Sequence, residues 1–568
     1  MHRRFETAGD VTVTAMGAPV MQTGEPRLPD VPEATLRAEA PDGPDRRGPI
    51  VRSAAVLGHV LVAVAATAPL AWHLDELATG REPAATVPQF NLWTLQWTAS
   101  RLPHAMAGWW DAPIFSPTPG TFAFSEPQPL TGAAYALVRP LVGDIRGYSL
   151  MLLLAIVLNG VAAAALARRL GASEAPAFVT GVLAQTMPFV FGQLGVLQLV
   201  SVWPMFAAIA CVVAWIGEPR IRWGLLLGLS LAAAVGTCGY YALLFVLCLV
   251  IAVPFTLDAT WWRDRLARAR SAAVAAAVFV VLAGPFLWGQ HRRLDGYRWS
   301  AATIRAGSAP WHEWGPGGRL WPSLVLIALA ALGTTTTWRT RPTRLLVALG
   351  GTSFVVSLGS RLSVAGVQPW TELVHSIDAF AGLRSPFRAA ALTQVALVAL
   401  AAPGLQRLRT VLPRLPAIAG AAALVIGLVL TTPGPGPLVP APASAGRWAT
   451  WLARHGDHAP VAFLPFAPNP RAESFEPTTT RMLQALDTGH PMINGYSGFF
   501  PKDHGRLRQQ LVGFPDERSL AALRDRHVRY VVIATDRYDD FDQRIARQLG
   551  YDEIVRDHDA VVLRVPTP

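Results

Sequence analysis

The sequence predicts a polytopic α-helical membrane protein that carries a small α/β domain at its C-terminal end. Three observations lead there. The 568 residues are 52% hydrophobic and only 15% charged, whereas soluble domains are about a quarter charged. Apolar runs of about 20 residues, the length that crosses a hydrocarbon core, recur from Ser53 onward. Beyond a Pro-rich stretch, Thr432–Ser444, these runs give way to short apolar segments alternating with amphipathic ones.

Residues 1–50 have no apolar period and read as a disordered cytoplasmic tail. Membrane segments are expected across 51–431. Arg46, Arg47 and Arg52 precede the first span, about Ser53–Trp72, so positive charge keeps that end in the cytoplasm. A large outer loop, 73–131, follows. Later spans are expected near 148–167, 175–193, 197–216, 223–237, 240–255, 272–288, 320–334, 345–358, 389–404 and 416–430, about eleven in all. Arg168-Arg169, Arg220 and Arg222, the run WWRDRLARAR, Arg339 to Arg344, and Arg407 and Arg409 all then fall on the cytoplasmic side. An odd number of spans puts the tail outside. Residues 432–444 read as a linker and 445–568 as an extracytoplasmic α/β domain, with strands at VAFLPF and VRYVVIATD between helices.

The net charge is +11, almost all of it arginine, since Lys502 is the single lysine. On a soluble protein this would point to nucleic acid. Here the arginines flank apolar spans, and membrane topology accounts for them. Cys211, Cys238 and Cys248 lie in apolar segments without ligand spacing. There is no P-loop, no GxGxxG after a strand, no HExxH and no CxxC, which speaks against a nucleotide-driven pump. Spans with almost no charge speak against ion-coupled transport.

Candidate chemistry concentrates in the outer loops. PQFNLWTLQWTASRLPHAMAGWWDAPIFSPTPGTFAFSE, Pro88–Glu126, holds four tryptophans and two carboxylates. Asp75 and Glu76 sit at the first membrane exit, where adjacent carboxylates can act as a base or hold a divalent cation; the bland alternative is a solvated helix end. Asp111, in WWDAPIF, and Glu126, in FSEP, are carboxylates in an aromatic belt, which can raise a pKa. For Asp111 the alternative is a hydrogen bond to loop N–H groups. His291, Arg292 and Arg293, and Arg384 and Arg388 of LRSPFR, run against the positive-inside trend. They suit a lipid phosphate or ion pairs with Asp295, Glu313 or Asp378. Trp93, Trp97, Trp110, Tyr240 and Tyr241 are candidates to line a cavity, or to serve as interface anchors and core. Asn159, Gln185 and Gln193 are polar groups in spans, which mark sites or simply bond between helices.

NLWTLQW, DAPIFSPTPGTFAFSE, FGQLGVLQLVSVWP, GYYALLF, LRSPFR and INGYSGFFP (Ile493–Pro501), in this order, resemble bacterial polytopic proteins of the GT-C superfamily over most of Ser53–Pro568. The resemblance implies a GT-C-like membrane domain with an outer soluble domain, and sugar transfer from a polyprenyl-phosphate donor to a cell-envelope glycan, lipid or protein on the outer face of a bacterial plasma membrane. It also implies an acidic catalytic residue in the first outer loop. The related pattern reads GDPxxN before a tryptophan-bearing helix. Here Thr86-Val87-Pro88-Gln89-Phe90-Asn91 stands there, with Val87 where the Asp would be. Valine takes no proton and binds no metal. Either another carboxylate, Asp75, Glu76, Asp111 or Glu126, does the work, or the chain is a non-catalytic scaffold in envelope assembly. A lipid or polysaccharide transporter is a third reading.

Overall fold

The computed structural model describes residues 47–412, 434, 436–455 and 457–567. The chain divides into two compact units, 1–53 and 54–568. Of the first, only the helical backbone of 47–53 is described.

Among the described residues, seven helices are long and apolar enough to cross a membrane: Asp144–Arg169, Glu174–Gly192, Leu197–Gly217, Gly239–Thr256, Arg265–Arg293, Arg341–Arg361 and Pro386–Val411. Three shorter apolar helices, Ser53–Ala66, Ile221–Thr237 and Leu324–Thr337, coincide with further expected spans. The last expected span, about 416–430, lies outside the described residues, as do most of the tail at 1–50 and the start of the linker. Val280 and Val281 on the Arg265–Arg293 helix are 61% and 71% exposed, and leucines along Ile221–Thr237 are exposed as well. Apolar surface of this extent belongs in lipid rather than water. The chain is therefore a helical multi-pass membrane protein.

Inside the bundle, the polar spans are sewn together by amides. His59 Nδ1 lies 2.8 Å from Gln185 Oε1, and Gln185 Nε2 donates to the His59 carbonyl. Asn159 bonds the Val200 carbonyl and the Val202 N–H where the chain breaks between two helices. Gln394 accepts from Phe189 N and donates to Leu320 O. The His59–Gln185 pair joins two helices, and Asn159 and Gln394 satisfy backbone groups released where helices break.

The stretch expected as a loop after the first span includes regular structure. It contains strand β1 (Glu76–Ala78) and a helix, Thr86–Arg101. A further helix, Pro129–Val142, with Pro140 inside it, has no counterpart among the expected spans. The segment read as a linker carries strand β2 (Leu438–Pro440), which pairs antiparallel with β1, Leu77 opposite Val439. The exit of the first span and the entry to the tail are thus hydrogen-bonded to each other.

The tail is an α/β domain. Strands β3 (Val461–Leu464), β4 (Tyr530–Ala534), β5 (Asp552–Arg556) and β6 (Ala560–Arg564) form one sheet in the order β3-β4-β6-β5, with β3 and β4 parallel and the other pairs antiparallel. Period-2 alternation sorts its residues between two cores. Ala462, Leu464, Val531, Ile533, Val561 and Leu563 pack against the helices His504–Leu511, Glu517–Asp525 and Asp540–Gln548. Val461, Phe463, Tyr530, Val532, Ala560 and Val562 point the other way, into a core shared with Phe90, Trp93, Trp97, Trp109, Phe115, Phe122 and Phe124 of the segment after the first span. The aromatic loop and the tail domain share one hydrophobic core.

Candidate functional site

The site is built where the sequence motifs meet. Thr79–Glu82 lies along the turn of FGQLG. Arg81 N donates to Gly192 O, and Glu82 N donates to Thr79 O at 3.0 Å. Gly80 has φ +60° and its backbone approaches Leu194 N. At Gly195 a Cβ would stand 2.2 Å from Thr79 O and 3.1 Å from Glu82 Cγ. Only glycine permits this approach. Gly195→Ala should therefore cost about 1–3 kcal/mol of stability, the typical price of overpacking, and displace Glu82. Thermal unfolding of the purified protein checks it.

The Thr86–Arg101 helix is buried almost throughout because it lies between the bundle and the tail. Val87 packs at the edge of the membrane core. Gln89 Oε1 accepts from the hydroxyls of Thr479 (2.7 Å) and Thr480 (3.1 Å) on the tail helix Glu476–Ala485, and Thr86 Oγ1 donates to Ala472 O. Asn91 bridges Val87 O and Gln128 Nε2.

The two long motifs hold each other. Phe115 N donates to Asn494 O, Ser116 N to Met492 O, Met492 N to Pro113 O and Phe499 N to Phe124 O. A Cβ at Gly498 would meet Phe124 O at 2.5 Å. Trp97 Nε1 donates to Trp109 O, and Trp109 Nε1 to Thr98 Oγ1. DAPIFSPTPGTFAFSE and INGYSGFFP are thus the two sides of one interface.

That interface delivers Glu126 and Tyr496 to the arginines of LRSPFR. Glu126 is buried and accepts hydrogen bonds from Gly239 N (2.8 Å) and Tyr240 N (3.3 Å), the first N–H groups of the Gly239–Ala252 helix. Burial pushes its carboxyl above the usual range, while these N–H groups and the Arg388 charge oppose the shift. The Arg388 guanidinium lies over the Tyr240 ring at 4.5 Å. Its Nε and Nη1 are buried without a hydrogen-bond partner among the described residues. The Arg384 guanidinium lies over Trp299 at 5.1 Å. A Cβ on Gly307 would meet Arg384 O at 2.1 Å, and Phe387 N donates to Gly307 O, so a neighbouring loop fixes the LRSPFR turn.

Glu82 belongs to the same field. Burial raises its pKa, the Arg388 and Arg384 charges lower it, and Glu473 of the tail raises it again. Its carboxylate makes no hydrogen bond among the described residues. Tyr496 is packed by Phe90, Phe475 and Phe500. Burial raises its hydroxyl pKa, and it feels Arg384, Glu82, Glu473 and Arg388. The Arg388 charge thus acts on Glu126, Glu82 and Tyr496, and Arg384 and Glu473 act on the last two. Such a site can neutralise an anion and take a proton from a neighbour.

The other sequence candidates lie elsewhere. Asp75 is exposed and forms a two-point ion pair with Arg146 (2.8 and 3.0 Å). Glu76, in β1, pairs with His73 at 3.4 Å. Asp111 accepts from Gly120 N at 2.8 Å and so closes its own loop. Asp75→Asn and Asp111→Asn are expected to leave the activity proposed below within about twofold of wild type, since exposed ion pairs and loop bonds contribute little; turnover assays check both. His291 and Arg292 are exposed at the end of the Arg265–Arg293 helix, and Arg293 covers Trp110 at 5.2 Å. Trp93, Trp97 and Tyr241 are buried, with the Tyr241 hydroxyl on Leu199 O. Glu82, Glu473 and Tyr496 are the residues that sequence reading passed over. The glycines of FGQLG were the available signal, because they mark a close approach without naming the partner. For a metal, one described group, Asp557, His558 and Asp559, brings its donor atoms within 4.8 Å of one another. Its carboxylates already bond Arg447 N and Arg481.

Three solved structures share the fold. The apo crystal structure of ArnT from Cupriavidus metallidurans aligns with a TM-score of 0.51 at 15% identity, over 91% of this chain and 97% of that one. Arabinofuranosyltransferase AftD from Mycobacteria aligns with a TM-score of 0.51 at 15% identity, over 92% of this chain and 41% of its own. The apo Archaeoglobus fulgidus oligosaccharyltransferase gives 0.50 at 12% identity, over 92% and 77%. The chain thus has a GT-C-like fold. No curated protein matches it significantly in sequence. The family described as "Domain of unknown function (DUF6311)" matches residues 109–429. That is more than half of the 568 residues, and the protein belongs to the DUF6311 family.

Proposed function

We propose that the protein transfers a glycosyl group from a polyprenyl-phosphate-linked sugar to an acceptor of the cell envelope, at the membrane face where the first outer loop meets the tail domain. The observation that carries this reading is Arg388: two buried guanidinium nitrogens without a hydrogen-bond partner among the described residues, on a side chain whose charge acts on Glu82 and Glu126, two carboxyls of raised pKa. Unpaired buried cationic donors are costly, and an anion that binds them removes the cost.

In this scheme the phosphate of the donor bonds Arg388 and Arg384. Glu82 takes the proton from the acceptor hydroxyl as its oxygen bonds to the anomeric carbon. The bond from that carbon to the phosphate oxygen breaks, and the electron pair leaves on the phosphate, where the arginines stabilise it. A single displacement inverts the anomeric centre. Glu126 holds the start of the Gly239–Ala252 helix, and with it Tyr240, beneath Arg388. Glu82 takes the part for which the related pattern uses an Asp at the position of Val87. The test is headgroup transfer from a polyprenyl-phosphate sugar by purified protein in lipid with a native membrane fraction as acceptor. Release of polyprenyl phosphate coupled to a new glycoside is the expected result. Tight binding of a partner protein with no turnover would favour a scaffold, and carriage of the intact lipid across vesicles would favour a transporter.

A further inference from the structure

The tail domain contains a cavity of about 180 Å³ at the C-terminal ends of its two parallel strands. Phe463–Pro465 closes it from the end of β3 and Ala534 from the end of β4; Pro477, Thr478, Thr480, Arg481 and Gln484 come from the Glu476–Ala485 helix, and Asn494 and Asp559 complete it. Open α/β sheets place ligands at this edge, because the loops diverge there and leave backbone groups free.

The chemistry of the lining is specific. Its two charged groups cancel: Arg481 Nη1 donates to Asp559 Oδ2 at 2.8 Å, and Nη2 to the Asp559 carbonyl. The remaining polar groups are neutral and already held in place. Asn494 is tied to both the N–H and the carbonyl of Phe463. Gln484 accepts from Arg481 and donates to Ala443 O. Each amide still has one N–H and one lone pair to offer, and the threonine hydroxyls can still accept. Fixed donors and acceptors without net charge, set between Pro465 and Pro477, fit a neutral polyhydroxylated ring.

We infer that this cavity binds a saccharide unit of the acceptor, at a distance from the point of transfer. The inference rests on the glycosyl-transfer reading above. Thr480 lines the cavity and also bonds Gln89 of the loop helix, and Glu473, seven residues earlier, acts on Glu82. Glu473 lies in the short turn Ala472–Phe475 that leads into the Glu476–Ala485 helix, so one continuous segment of the tail lines the cavity and acts on Glu82. The acceptor on this inference is an uncharged glycan, gripped by the tail at one unit and glycosylated at another.

The experiment uses the full-length protein in nanodiscs with Gln484→Ala and, separately, Ala534→Leu, which fills the cavity. Neither residue belongs to the Glu82–Arg388 cluster. Neutral gluco-, galacto-, manno- and arabino-oligosaccharides of one to four units are titrated against tryptophan fluorescence, with Trp448, which lies under Arg481 at 5.2 Å, as reporter. Saturable binding that strengthens with length and weakens at least tenfold in both variants is expected, together with a tenfold higher acceptor KM at unchanged donor binding. Binding by the wild type without any donor turnover would sink the transfer reading and keep the saccharide site. Active wild type with no saturable binding, and variants that transfer with unaltered KM, would overturn the inference. Gln484→Ala removes no core packing, so its result stands even if Ala534→Leu folds poorly.

Discussion

Glu82→Gln should lower glycosyl transfer by about 10²–10⁴-fold, the range that a positioned general base contributes, while affinity for polyprenyl phosphate stays near wild type. Glutamine keeps the shape and removes the basic oxygen. Burial holds the Glu82 pKa above the ordinary carboxylate range. A base works only when deprotonated, so turnover should rise with pH through that raised value and reach its plateau above the range of an ordinary glutamate. The neighbours give the sign of each shift. Glu473 raises the Glu82 pKa, so Glu473→Gln should move the acid limb of the profile to lower pH. Arg384 lowers it, so Arg384→Gln should move the limb to higher pH as well as weakening donor binding. Profiles of kcat against pH for the three variants check this. Full activity of Glu82→Gln would return the role of base to Glu126 or end the enzymatic reading.

Much of this architecture was legible in the sequence because membrane thickness imposes a length on apolar runs. The tail sheet was legible at VAFLPF and VRYVVIATD, where both faces of the strands are buried and the apolar run is continuous. The site was legible in part. The motifs of the resemblance proved to be mutual contacts: FGQLG against Thr79–Glu82, GYY against Glu126, and INGYSGFFP against DAPIFSPTPGTFAFSE. Among the candidate carboxylates and arginines, sequence could not separate Glu126 from Asp111. Both follow aromatic residues, and only the long-range contact with Gly239 buries one of them. Glu82 escaped notice for the same reason. In TGREP it reads as a solvated loop glutamate, and its environment is supplied by residues more than a hundred positions away. The β1–β2 pairing was illegible too, because each strand is three residues long and one lies in a Pro-rich stretch.

Arg388→Ala should raise the Kd for polyprenyl phosphate by about two to three orders of magnitude, as expected when a desolvated charged contact is truncated. Arg388→Lys should lie between: the charge survives, but a point-like ammonium cannot replace the planar fork of donors. A binding isotherm with a polyprenyl phosphate in detergent reads both. Loss of fold would mimic loss of affinity, and Glu126 separates the two. Removing the guanidinium leaves the buried Glu126 carboxylate with only the Gly239 and Tyr240 N–H groups, so Arg388→Ala should also lower the Tm. Glu126→Gln removes the charge that was left without a counterpart. The double variant should therefore regain part of the lost stability while phosphate affinity stays low, a coupling that a double-mutant cycle measures directly. If affinity returned along with stability, Arg388 would be a structural counterion and the phosphate would have to be held elsewhere, with Arg384 the next group to test.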